Sequence, residues 1–69
     1  MYKLITVNGK ITKKKRLTLK HMQDFVGGYV EQYQNVFCNE DGLRLRLPRN
    51  IIDPRFVGNI IVEEHKKYG

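Results

Sequence analysis

The chain has 69 residues, 13 Lys and Arg against 7 Asp and Glu, and a formal net charge of +6. That length makes a single domain, residues 1–69, near the lower limit for a self-sufficient hydrophobic core, and a lone cysteine, Cys38, excludes a disulfide framework. The opening run Leu4-Ile5-Thr6-Val7 is too short for a signal sequence or a membrane span, so a cytoplasmic protein in a reducing compartment is expected.

Tyr2 to Val7 predicts a first strand, and Asn8-Gly9 predicts a tight hairpin. Lys10 to Arg16 is the returning strand; only Ile11 in it is clearly apolar, which reads as an exposed edge guarded by lysines. Thr18 stands at a helix N-cap position, and Leu19, Met22, Phe25 and Val26 form one apolar face over about two turns. Gly27 ends the helix, because the residue past a helix end commonly adopts a left-handed conformation that glycine takes at little cost. Gly28 then lets the chain turn into a third strand, Tyr29 to Tyr33.

A turn near Asn35 leads to Val36-Phe37-Cys38-Asn39, and Glu40-Asp41-Gly42 predicts a second turn. Leu43-Arg44-Leu45-Arg46-Leu47 alternates strictly and predicts a half-buried strand, with Arg44 and Arg46 on its outer face. Pro48 stops it, and Pro48 to Pro54 is a loop or a single helical turn. Asn59 to Glu63 is the last strand, and the tail frays from about residue 64. The expected fold is therefore α+β: a small, mostly antiparallel sheet of four or five strands with one short helix packed on it. Its expected core is Leu4, Ile5, Val7, Leu19, Met22, Phe25, Val26, Val30, Phe37, Leu45, Ile60 and Val62. A core this small favours a homodimer or a place in a larger complex.

Charge is segregated along the chain. Residues 1–23 carry Lys3, Lys10, Lys13, Lys14, Lys15, Arg16 and Lys20 and no acid, whereas residues 24–42 carry Asp24, Glu31, Glu40 and Asp41 and no base. Such asymmetry suits an acidic partner, whether a protein surface, a nucleic acid or a nucleotide. Lys13, Lys14, Lys15, Arg16 and Lys20, joined by Arg44, Arg46 and Arg49, are the candidate contact residues, since lysine holds phosphate by charge and arginine grips it in two places. Tyr29, Glu31 and Tyr33 share one strand face and are candidate interface residues. Exposed tyrosines anchor protein interfaces and also stack on bases, but Glu31 repels a phosphate backbone and turns this face towards protein.

Catalytic constellations are poorly represented. Two histidines, one cysteine and no serine leave little for nucleophilic chemistry or for a metal site, and neither a metal nor a cofactor is expected. Glu40-Asp41 and Glu63-Glu64 are adjacent in sequence, so in extended chain their side chains diverge. A phosphate-binding loop needs glycines before a helix; here they follow one. The expectation is a protein that is not an enzyme.

Val26-Gly27-Gly28-Tyr29-Val30-Glu31, then Asn39-Glu40-Asp41-Gly42-Leu43 and Leu47-Pro48-Arg49-Asn50, resembles a family of small bacterial and phage proteins, domain-of-unknown-function family 3846. The likeness runs in order through most of the chain up to Ile60-Ile61-Val62, although this chain is shorter than typical members between Pro48 and the last strand. It implies an α+β protein of phage or mobile-element association with no assigned activity. Joined to the charge pattern, it suggests a non-catalytic accessory protein that binds an acidic host protein of defence or transcription. Direct nucleic-acid or nucleotide binding through the basic strip is the alternative.

Overall fold

A computed structural model describes residues 1–64. Five four-residue strands, β1 (Tyr2–Ile5), β2 (Ile11–Lys14), β3 (Val30–Tyr33), β4 (Val36–Asn39) and β5 (Ile60–Glu63), form one antiparallel sheet with the order β2-β1-β5-β4-β3. The single helix among the described residues, α1 (Leu19–Val26), packs across β5, β4 and β3 on one face. The fold is thus the expected α+β class. The tail beyond Glu64 lies outside the described residues.

Local chemistry accounts for most element boundaries. The Thr18 hydroxyl accepts the His21 amide hydrogen at 3.1 Å and caps the helix. Gly27 closes it in a left-handed conformation, φ +83°, and the amides of Gly27 and Gly28 both donate to the Gln23 carbonyl. At the first hairpin only Gly9 has positive φ, and its amide donates to the Thr6 carbonyl. The Asn8-Gly9 pair thus forms a wider turn with a left-handed glycine, not a two-residue loop.

Both faces of the sheet are covered at its centre, because central β5 is sandwiched. On the helix side Ile61 packs with Met22 and Val26; on the other, Ile60 packs with Ile5, Val36 and the Phe56 ring. Ile60 and Ile61 are fully buried, each contributing about 2 kcal/mol of apolar burial. The expected core omitted Ile61 and Val36, since sequence alternation does not reveal the second cover, residues 48–58.

Two expectations are corrected. Leu43–Leu47 is not a strand: the chain coils through turns, with the Leu45 amide donating to the Asp41 carbonyl and the Leu47 amide to the Gly42 carbonyl. The Asn39 side chain starts this path by accepting the Asp41 amide hydrogen at 2.8 Å, and Arg46 ends it with φ +55°. Arg44 and Arg46 therefore do not share a strand face. Leu45 and Leu19 are not core residues either; they are 51% and 63% exposed. Leu45 follows those turns, and Leu19 opens the helix ahead of the apolar stripe that meets the sheet.

Candidate functional site

The basic residues that the sequence singles out fall into two groups. Edge strand β2 is exposed along its whole length. It carries Lys13 and Lys14 on opposite faces, and Lys15 and Arg16 continue past its end to the helix. None of Lys10, Lys13, Lys14, Lys15, Arg16 and Lys20 is ion-paired among the described residues. A shallow groove where this strip meets α1 is bordered by Tyr2, Lys15, Arg16, Leu17, Thr18 and His21. The Tyr2 phenol is pushed above its ordinary pKa by its hydrogen bond to Glu63, its partner across β5, with a smaller contribution from desolvation.

Arg44, Arg46 and Arg49 stand elsewhere. They follow β4, three strand positions from β2, which is about 14 Å across the sheet. The Asn39 end of β4 also lies at the opposite end of the sheet from Lys14. Arg44 is committed to Asp41 at 3.1 Å, and Arg49 donates to the Pro54 carbonyl at 2.8 Å. The structure does not unite them with the lysines.

Arg49 instead borders a cleft of about 230 Å³ on the face opposite α1, between β3–β4 and residues 49–57. Residues 49–57 are held as a small hairpin by the Arg49–Val57 bridge. Asn50, fully buried inside it, donates to the carbonyls of Ile5, Thr6 and Gly58 and accepts the amide hydrogens of Ile52 and Asp53. This hairpin presents Phe56 edge-on to Tyr33, ring centres 6.2 Å apart, with Arg55 over the Phe56 ring at 5.5 Å. Arg55 is clamped by Asp53 through two bonds of 2.9 and 2.7 Å, which hold the Asp53 carboxyl below its ordinary range.

Across the cleft stand Glu31, Glu40 and the Cys38 thiol. Burial, and then the charge of Glu31, push the Cys38 thiol above its ordinary pKa. A thiol so disposed is a poor nucleophile. Among the described residues no group of three or more His, Cys, Asp or Glu is placed to hold a metal ion. Nor is any described helix long and apolar enough to cross a membrane.

Tyr29, Glu31 and Tyr33 are all exposed at the β3 edge. Sequence reasoning found these three but missed Cys38, Glu40, Arg55 and Phe56. The only available signal for the last two was the turn-forming Asp53-Pro54 just before them.

A five-stranded antiparallel sheet with one helix, a basic strip at one edge and a mixed-charge cleft beside the other, defines a small α+β protein with two separate polar surfaces. The family model described as Domain of unknown function (DUF3846) matches residues 1–68, and the chain belongs to that family. It matches no curated protein and no solved structure.

Proposed function

We propose that this chain is a non-catalytic binding protein whose β2 edge and adjoining turn dock an acidic partner. One observation carries the reading: the six cations from Lys10 to Lys20 are exposed and free of ion pairs among the described residues, whereas Arg44 and Arg55 are neutralised by Asp41 and Asp53. Unpaired charge on an open strand edge steers an oppositely charged surface and orients it on arrival. The raised pKa of Cys38 fits a role without nucleophilic catalysis. In the phage-associated setting that the family resemblance implies, the partner is an acidic protein of host defence or transcription, met in the cytoplasm by a dimer or a larger complex.

A second reading, nucleic-acid binding by the same strip, is favoured by Tyr2 and His21, which place rings beside Lys15 and Arg16. Calorimetric titration with polyglutamate and with single-stranded DNA, each at two salt concentrations, separates the two. The protein-directed reading expects polyglutamate binding that the triple change Lys13→Ala, Lys14→Ala, Lys15→Ala weakens at least tenfold. The nucleic-acid reading expects preference for DNA, with a log–log salt slope of about −4 if all six cations release counterions. Unchanged affinity in the triple variant would make the strip a solvated edge and nothing more.

A further inference from the structure

The second open edge of the sheet has chemistry opposite to the first. β3 is its outermost strand on that side. The Glu40 amide donates to the Tyr29 carbonyl at 2.8 Å, so Tyr29 and Glu40 are a hydrogen-bonded pair. Antiparallel alternation then makes Glu31–Cys38 and Tyr33–Val36 the next such pairs and turns the amides and carbonyls of Val30 and Gln32 outward, away from β4. Natural edges are commonly blunted by shortness, charge, proline or a bulge; β2 has its lysines, whereas Val30–Tyr33 is short and carries Glu31 but has no lysine, proline or bulge.

Beside that edge the cleft offers a receptor for one side chain. Glu31 and Tyr33 project from β3 onto the cleft face, and Glu40 is the diagonal neighbour of Glu31. Neither carboxylate is ion-paired among the described residues, while Arg55 is already held by Asp53 and Arg49 faces the Pro54 carbonyl. The uncommitted charge on the strand side is therefore negative. The Tyr33 and Phe56 rings supply apolar walls for an aliphatic stem and π faces for a cation.

We propose that the β3 edge takes an extended peptide segment of a partner protein as an additional strand, with a lysine or arginine side chain of that segment entering the cleft between Glu31, Glu40 and Tyr33. Main-chain bonds to Val30 and Gln32 supply the strand pairing, and the cleft supplies selectivity for positive charge, the division of labour usual in strand addition. The site is independent of the basic strip, being at the other edge and opposite in sign. The basic β2 of a second copy is the weaker occupant, because head-to-tail pairing of β2 on β3 leaves open edges at both ends and does not close.

The test uses amide hydrogen exchange followed by NMR on the full chain, with capped hexapeptides of alternating valine and lysine, or valine and glutamate, as probes. The expected result is that the lysine peptide slows exchange at Val30 and Gln32 at least tenfold and the glutamate peptide does not. Glu31→Lys, a surface change that leaves the sheet intact, should weaken lysine-peptide binding at least tenfold, whereas the triple lysine-to-alanine change on β2 should leave it unaltered. Equal protection by both peptides, or protection confined to β2, overturns the proposal. So does β3 protection that grows with protein concentration without peptide, which would make the occupant a second copy.

Discussion

Asn39, on β4, donates its side-chain amide to the carbonyl of Val26 at 3.0 Å and so satisfies a main-chain acceptor at the end of α1 that the helix cannot satisfy itself. Asn59, just before β5, does the same for Phe25 at 3.0 Å while accepting the Val7 amide hydrogen at 2.9 Å. Two asparagines from neighbouring strands thus pin the last turn of the helix to the sheet. The glycine pair makes room for this: Gly27 turns the chain, and a Cβ on Gly28 would sit 3.0 Å from the Asn39 amide nitrogen.

Gly28→Ala should therefore act through Asn39. The added methyl pushes the amide aside by a few tenths of an ångström, and weakening its bond to a buried carbonyl costs about 1 kcal/mol. In an Asn39→Ala background the methyl has nothing to displace, so the same change should cost clearly less. Urea unfolding of the two single variants and the double variant reads the coupling, and strict additivity would refute this role for Gly28.

Asn50→Ala should be among the most damaging single changes in the chain. It strips two buried carbonyls and one part-buried carbonyl of a donor and two amides of an acceptor, at about 3 kcal/mol or more. Asn50→Asp does not rescue it, since a carboxylate cannot donate to those carbonyls. By contrast Leu45→Ser, at a position half exposed in a turn, should stay within about 0.5 kcal/mol. A buried leucine strand at 43–47 would demand a far larger loss, so the denaturation midpoints of these variants discriminate sharply.

The contrast between Asn50 and Leu45 shows where sequence was informative. The helix was legible to the residue, because an N-cap threonine, an apolar stripe and a left-handed glycine each act within one or two turns of chain. The flanking strands were legible from their apolar runs and turns. Leu43 to Leu47 misled, because alternation marks a strand only where a neighbouring strand can pair with it. Here Asn39 turns the backbone onto itself before it reaches one. Asn50 reads as an ordinary loop polar residue, for its partners Ile5 and Thr6 lie more than 40 residues away. The basic strip was visible as composition; that Arg44, Arg46 and Arg49 stand apart from it required the strand order.

Acid should expose the contribution of the Asp53–Arg55 clamp. The folded carboxyl titrates below its ordinary range, so the unfolded chain takes up the proton more readily. The stabilisation is present above the ordinary carboxylate range and is lost as pH falls through the depressed folded value. Asp53→Asn keeps an acceptor for the Arg55 amide but removes the charge. Its melting temperature should be lower at neutral pH and should fall less steeply in acid than that of the wild type; parallel profiles would show that the clamp contributes nothing.

Cys38 reports on the cleft from within. Burial comes first and the Glu31 charge second in raising its pKa, and the thiolate is the species that reacts with alkylating agents. Glu31→Gln removes the nearby negative charge without changing side-chain size, so more thiolate forms at a given pH. Iodoacetamide should then modify Cys38 roughly two- to fivefold faster at neutral pH, the scale expected for one charge at short range near a protein surface. The two proteins should react at equal rates in denaturant, where the cleft is gone. An unchanged rate in Glu31→Gln would leave burial as the sole cause of the raised pKa.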